Sequence, residues 1–446
     1  MPNQPNILVV FSDQQRWDTL GCYGQKLPVT PNLDRLAQKG TLFERVFTCQ
    51  PLCGPARACL QTGKYATQVG CYRNGIALPP NEPTLATWLG KAGYETAYIG
   101  KWHLATNDGK EGENFERIAI PPDRRGGYKD YWLASDLLEH TSHSYDGYMF
   151  DSAGRRREFP PGQYRADVLT DWAIEYLTSR KQDRPFFLFL SYLEPHHQND
   201  HDRFEGPRGW AERFADFDVP GDLADTQGDW PEQMADYLAC CNSIDSNFGK
   251  LVDTLQKLGL ADSTLLIYTS DHGCHFRTRK GEYKRSCHDS SLRIPLIIQG
   301  PGFSTGKRIG ELVSLIDVPP TILSAGGLST PETMHGKDLT QLLRGEVSDW
   351  PGEIFAQISE SQLGRTIRTD RWKYCVNCPD ENAMKKQFAE RYVEQYLYDL
   401  HNDPHERVNL ISLPGLKAER ANLAQTLTRR MVQAGEPIPT IMPAEV

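Results

Sequence analysis

Four apolar runs punctuate the chain: Ile7-Leu8-Val9-Val10-Phe11, Phe186-Phe187-Leu188-Phe189-Leu190, Leu265-Leu266-Ile267-Tyr268 and Pro295-Leu296-Ile297-Ile298. None alternates with polar residues. A strand with one wet face reads apolar-polar with period two, whereas a strand covered on both faces reads as an unbroken apolar run. All four are therefore predicted as interior strands. Between them apolar residues return at helical spacing. Leu33, Leu36 and Ala37 do so within 32–39, Val168, Leu169, Trp172, Ala173 and Tyr176 within 166–179, and Leu238, Ile244, Phe248, Leu251, Leu255 and Leu258 within 234–258. Strands alternating with helices predict an α/β domain with a mainly parallel sheet flanked by helices.

Ligands of such sheets gather beyond the carboxyl ends of the strands. Asp13 follows the first run and Asp271 the third, so both acids are expected at one edge of the sheet. Two stretches, 108–161 and 196–230, show little periodicity. They read as loops, and their aromatics (Tyr128, Tyr131, Trp132, Trp210, Trp230) argue against disorder. Long loops in a compact domain are usually functional, so these are expected to wall a substrate pocket. A cluster of Gly, Ser, Asp, Trp and Pro over 343–352 marks a boundary. Short strand-like runs at 354–358, 366–367 and 374–376 and a helix over 416–432 follow. The expected division is 1–347, an α/β catalytic domain, and 348–446, a smaller α+β subdomain with an antiparallel sheet and a terminal helix.

Composition narrows the class. The chain has 446 residues, 39% hydrophobic and 24% charged, with a formal net charge of -9. That is ordinary for a soluble globular protein and argues against non-specific nucleic-acid binding. No run is long and apolar enough for a membrane span, and no basic-then-apolar leader follows Met1. The chain as given is expected in the cytoplasm; a removed leader would place it in the periplasm or outside the cell. Eleven scattered cysteines do not make a disulfide framework. Cys375-x-x-Cys378 has no second pair to complete a zinc site and reads as loop thiols, while Cys240 and Cys241 read as core.

The chemistry concentrates in short motifs. Cys53-Gly54-Pro55-Ala56-Arg57 is followed by Leu60-Gln61-Thr62-Gly63-Lys64. Phe11-Ser12-Asp13-Gln14 and Thr269-Ser270-Asp271-His272-Gly273 each follow an apolar run. Gly100-Lys101-Trp102-His103, Pro195-His196 and Lys284 ahead of Ser291-Leu292-Arg293-Ile294-Pro295 lie between and beyond them. Near the end come Arg368 to Tyr374 and Leu397-Tyr398-Asp399-Leu400 with Asp403-Pro404. In this order, over nearly the whole chain, these elements resemble the type I sulfatases.

The resemblance implies an alkaline-phosphatase-like fold and the hydrolysis of sulfate monoesters. It implies that Cys53 is oxidised by a maturation enzyme to formylglycine, whose hydrate supplies one hydroxyl to attack sulfur and a second to expel sulfate. It assigns one divalent cation to Asp13, Gln14, Asp271, His272 and residue 53. The commonest family pattern has two consecutive Asp in the first half and Asp-Asn in the second; here Gln14 and His272 replace one Asp and the Asn. Carboxylate and amide oxygens suit Ca²⁺, and the gained imidazole suits Mn²⁺. Arg57, Lys101, His103, His196 and Lys284 are the expected catalytic set. Lys101, Arg57 and the cation would stabilise charge on the sulfate, His196 or Lys284 would protonate the leaving alkoxide, and His103 would act as base for sulfate release. Trp132, Arg203, Trp210 and His275 are the expected substrate-binding residues.

The expected substrate is a sulfated sugar or oligosaccharide, since Arg124, Arg125, Arg203 and Arg208 stand among the loop aromatics and would attract a polyanion. A phosphonate monoester or phosphodiester hydrolase and a choline sulfatase are alternatives on the same scaffold. A non-enzymatic carbohydrate-binding protein would keep the aromatic loops without needing Cys53, Asp13, Asp271 and Lys101 together.

Overall fold

A computed structural model describes residues 4–444; the opening Met1-Pro2-Asn3 and the closing Glu445-Val446 lie outside the described residues. Five parallel strands form the centre of a 12-stranded sheet. In spatial order they are Thr264–Ser270, Asn6–Ser12, Phe186–Ser191, Glu95–Lys101 and Tyr131–Ser135. The apolar runs behave as their pattern predicts: all of Asn6–Ser12, Phe186–Ser191 and Thr264–Ser270 is buried. Successive side chains of one strand enter different cores. Ile7, Val9 and Phe11 join one cluster, and Leu8 and Val10 the other, on the opposite face. The first cluster is lined by the Cys53–Thr62 helix, the second by Pro31–Lys39, Arg165–Ser179 and Trp230–Lys257.

Two expectations about this sheet need correction. The run at 295–298 is a strand, Leu296–Gln299, but it pairs antiparallel with Thr264–Ser270. The 108–161 stretch is not simply loop. Tyr131–Ser135 extends the parallel sheet, and Asp146–Asp151 and Arg156–Glu158 add antiparallel strands beside it. Its short strands are interrupted by turns, which hid the period-two signal. The 196–230 stretch is largely irregular, as expected, yet Phe204, Phe214 and Leu223 are buried against the Trp230–Lys257 helix. Much of it is therefore a packed layer rather than a free wall.

A second, five-stranded sheet follows: Glu353–Ile358, Leu363–Thr369, Trp372–Cys378 and Arg391–Asp399 are antiparallel, and Thr440–Met442 adds a parallel edge. The Lys417–Gln433 helix lies on it through Leu423, Leu427 and Met431. Cys375 and Cys378 sit on the third of these strands, buried, and are not loop thiols. Cys240 and Cys241 are buried on a helix, and all eleven cysteines are free. Among the described residues no helix is long and apolar enough to cross a membrane. The architecture is thus a large, mostly parallel sheet with helices and a smaller C-terminal sheet, as expected from the sequence.

Candidate active site

The carboxyl ends of the parallel strands deliver the site. Ser12 and Ser270 are register partners, so the next residues, Asp13 and Asp271, emerge side by side. Lys101 ends the Glu95–Lys101 strand, one strand further along the same edge, beyond Phe186–Ser191. Cys53 is the first residue of the Cys53–Thr62 helix, which begins against this edge. An α-helix start carries unpaired N–H groups and the positive end of the helix dipole, a favourable place for an anion.

Around Cys53 the contacts are short. Its Sγ donates to Asp13 Oδ1 at 3.3 Å, lies 3.2 Å from His272 Nε2, and accepts from Lys284 Nζ at 2.9 Å. Lys284 Nζ also reaches Gln14 Oε1 at 3.3 Å and His196 Nε2 at 3.2 Å. Asp13 Oδ2 is paired with Arg57 at 2.9 Å and with Lys101 at 3.0 Å. Arg57 also lies 3.6 Å from Asp271. It also donates to Lys101 O and Ser191 Oγ, so it braces both carboxylates from beneath.

Local backbone explains why these residue types stand here. Gly100 has φ +109°, and a Cβ there would meet Ser191 O at 1.9 Å. Only glycine lets the strand turn Lys101 inward. Gln14 and His103 hold positive φ (67° and 58°), unusual for residues with side chains. Gln14 is pinned by its N–H on Asp271 Oδ1 and its carbonyl on the Tyr237 hydroxyl. His103 is pinned by its N–H on Asp136 O. Such strain persists where the surroundings over-determine it, commonly at functional sites.

The electrostatics follow from burial. Asp13 loses its water, which opposes ionisation, but Lys101 and Arg57 outweigh that and hold it well below the usual carboxylate range. Asp271 is pushed up to about 7 by burial and by the neighbouring Asp13 charge. The Cys53 thiol is pushed up to about 12 by burial and by Asp13. His103, His196 and His272 are all held well below the ordinary imidazole range by burial and nearby lysines.

The donor set suits a divalent cation. Asp13, Cys53, Asp271 and His272 each offer an atom within 4.8 Å of the others, all buried. Asp271 Oδ2 is buried with no hydrogen-bond donor. His272 Nδ1 donates to Gly273 O at 2.9 Å, which leaves the Nε2 lone pair facing the cluster. Metal-binding imidazoles are commonly oriented this way.

A cavity of 470 Å³ opens above, bordered by Gln14, Cys53, His103, His196 and Lys284. Of the adjacent histidines, His196 is the one in contact with Lys284, whereas the His197 ring packs against Tyr283 and Phe204. His196 Nδ1 donates to His197 O at 2.6 Å, so its Nε2 accepts from Lys284. Lys284, not His196, carries the proton in this pair.

The expected substrate residues fare differently. Trp132 is 1% exposed and packs between Tyr98 and Trp102, so it belongs to the core. Trp210 packs beneath Arg213, and Arg203 pairs with Glu205 at 3.0 Å; neither borders the cavity. His275 is buried, donates to Lys284 O at 3.1 Å and does not border the cavity. Arg124, Arg125 and Arg208 also lie away from the cavity, whose rim instead carries Asp108, Glu116, Asp202, Glu282 and Glu360 beside Arg277 and Arg285. The expectation of a basic wall is therefore overturned.

Several contributors escaped the sequence reading. Glu139 holds Lys101 at 2.9 Å. Asp136 accepts the backbone N–H groups of Leu104, Ala105 and Thr106. From the C-terminal part, Glu360 links Arg285 at 2.7 Å to the Asn74 N–H, and Asn74 in turn accepts from Gly54 N. Asp136 directly follows the Tyr131–Ser135 strand, which the sequence reading took for loop, so none of the three carried a readable signal.

Comparison with known proteins agrees with this arrangement. The Sulfatase family profile matches residues 5–328, and that of the N-sulphoglucosamine sulphohydrolase C-terminal region matches 281–434. The chain is 30% identical to the sulfatase YidJ of Escherichia coli (strain K12), over 92% of this chain and 83% of that protein. It is 26% identical to the N-acetylglucosamine-6-O-sulfatase of Bacteroides thetaiotaomicron, over 96% of this chain and 87% of that one. A solved complex of BT4656 with its substrate, D-glucosamine-2-N,6-O-disulfate, superposes with a TM-score of 0.78 at 25% identity, covering 97% of this chain and 98% of that one. The chain belongs to the sulfatase family and is a sulfuric ester hydrolase.

Proposed function

We propose that this sulfatase removes sulfate from a sulfated sugar or oligosaccharide, using formylglycine made from Cys53 by a maturation enzyme beside one divalent cation. The observation that carries the reading is the convergence of Asp13, His272 and Lys284 on the Cys53 side chain at the floor of the cavity. Asp13, Gln14, Asp271 and His272 would hold the cation, Ca²⁺ by their oxygens, with Mn²⁺ the second choice because of the imidazole. The cation supplies charge stabilisation to sulfate oxygens. Formylglycine supplies a hydrated aldehyde, a nucleophilic hydroxyl with a second hydroxyl for release.

The chain's own groups do the rest. Arg57 and Lys101 keep Asp13 ionised. Lys284 places an ammonium at the reacting side chain, where it can donate a proton to the leaving oxygen. His196 fixes that ammonium through Nε2. His103, with a neutral ring and a buried Nδ1 that has no partner, is a suitable base for the release step. On this reading 1–347 carries the chemistry, and 348–446 closes one side through Glu360.

A sugar is favoured by the rim. Asn74, Asp108, Glu116, His140, Asn199 and Asp202 offer hydrogen-bonding groups to hydroxyls. Among the described residues that border the cavity, Tyr283 is the one Phe, Tyr or Trp, and its ring is already covered by Arg277 and His197, which leaves no aromatic cage for a quaternary ammonium there. The N-acetylglucosamine sulfatase and the disulfated-glucosamine complex among the relatives support the same class. The test is a panel of sulfated glucosamines and oligosaccharides assayed beside an aryl sulfate, choline sulfate and an aryl phosphonate, with mass analysis of residue 53. The highest kcat/KM should fall on a sulfated sugar. Choline sulfate or the phosphonate matching it would overturn the substrate class, and full activity with an unmodified thiol would overturn the mechanism.

A further inference from the structure

The rim of the catalytic cavity has little positive charge to offer a substrate. Among the described residues, Lys284, Arg277 and Arg285 are the lysines and arginines that border the cavity. Lys284 is engaged at residue 53, so the two arginines are left to meet any second anion on the substrate. Arginine recognises sulfate and carboxylate through paired N–H groups that match their oxygens. Here each arginine is already bracketed by two carboxylates. Arg285 lies 2.6 Å from Glu282 and 2.7 Å from Glu360. Arg277 Nη2 donates to Asp202 Oδ1, and its Nε lies 3.4 Å from Asp229. The Arg277 guanidinium also covers the Tyr283 ring, 4.8 Å from its centroid. Both arginines hold left-handed backbone, with φ of 59° and 62°, a conformation that persists where the surroundings fix it. One positive charge between two negative ones leaves each group net negative. On the rim too, Asp108 is balanced by Arg73 at 3.1 Å, and Glu116 meets the His140 ring at 3.2 Å.

We propose that this rim selects a sugar on which the sulfate to be removed is the only anion. The inference rests on the reading of the enzyme as a sugar sulfatase and narrows it. A second sulfate or a carboxylate on the substrate would lie against rim carboxylates, with Arg277 and Arg285 occupied. Like charges brought together in this way exclude a ligand without improving any other. A hydroxyl, an acetamide or an ammonium meets no such repulsion.

A place in a reaction sequence follows. Enzymes that remove neighbouring sulfates, and those that cut away acidic sugars, must act first. This sulfatase would then take the singly sulfated sugar they leave.

The test uses the loaded enzyme and the singly sulfated sugar turned over fastest in the panel above, beside the same sugar carrying one further sulfate. The further sulfate should lower kcat/KM by about tenfold or more, chiefly through KM, because the rim meets bound substrate and not the breaking bond. The gap should narrow between 0.1 M and 1 M salt, as the screening length falls from about 10 Å to about 3 Å. Asp202→Asn leaves Arg277 one carboxylate fewer and should narrow the gap by about threefold or more. Glu116→Gln should narrow it in the same direction. Asp218→Asn, at an exposed acid paired with Lys26, should not. The Asp202 side chain is 67% exposed, so thermal unfolding of Asp202→Asn should match that of the parent. Equal turnover of the two sugars, or a gap unmoved by salt and by both rim variants, would overturn the selection and leave the sugar reading standing. Turnover of the aryl sulfate alone would overturn that reading and the selection with it.

Discussion

Glu139→Gln isolates a contribution that no motif announces. Lys101 Nζ lies 2.9 Å from Glu139 Oε1 and 3.0 Å from Asp13 Oδ2, with its side chain fully buried. Two opposite charges at that distance attract by about 6 kcal/mol at an effective dielectric constant of about 20, before desolvation is subtracted. Net, a buried charge-assisted hydrogen bond is worth about 1.5–3 kcal/mol. Glutamine keeps the acceptor and removes only the charge, so a loss near the lower end is expected. Lys101 would then give its whole charge to Asp13 and compete harder with the catalytic cation. The expected result is a fall of about 10–30-fold in kcat/KM, with a comparable rise in the cation concentration needed for half-maximal activity. Thermal unfolding should move by only a few degrees. The assay is initial-rate kinetics on a sulfated sugar across a Ca²⁺ series, run beside Glu139→Ala as the larger perturbation. If Glu139→Gln changes neither kcat/KM nor the half-saturating Ca²⁺ by more than twofold, the argument that Glu139 apportions the Lys101 charge is wrong.

Chelation of the purified enzyme should abolish turnover and leave Asp13 and Asp271 buried together, so unfolding temperature should fall and recover on adding Ca²⁺ or Mn²⁺. Trp132→Ala should destabilise the fold by about 3–5 kcal/mol with KM unchanged in the molecules that remain folded; intact stability with a raised KM would instead make Trp132 a substrate contact. Asp317 is pushed up to about 6 by burial, against the pull of the Lys337 and Ser314 amides. Its folded pKa lies above the unfolded value of about 3.9, so its contribution is fully present below pH 4 and is lost as pH rises through 6. The loss amounts to about 3 kcal/mol by pH 7, and denaturant titrations from pH 4 to 7 should show it shrinking in Asp317→Asn. Shortening 203–230 should unfold the enzyme rather than alter specificity, because Phe204, Phe214 and Leu223 would leave the Trp230–Lys257 helix uncovered.

Much was legible in one dimension. Unbroken apolar runs marked strands covered on both faces because period two vanishes when both faces are dry. Asp13 and Asp271 could be placed at one edge because each directly follows such a run, and parallel neighbours end together. The Cys53–Arg57 signature and the Gly100–His103 element were readable because they match the sulfatase pattern residue for residue at fixed offsets. The substrate wall was not readable. Trp132 and Arg203 sit in two stretches, 108–161 and 196–230, whose aromatics and charges look alike on paper, and only packing decided that Trp132 faces Tyr98 and that Arg203 turns to Glu205. The partners of the buried cations were hidden for the same reason. Glu139 reaches Lys101 across 38 positions and Glu360 reaches Asn74 across 286, and no periodicity encodes a contact between side chains so far apart in sequence. Local sequence determined which elements form and which chemistry is available. The tertiary structure decided which charges meet, because the cost of burying a charge is settled by whichever partner the folded chain brings within about 3 Å.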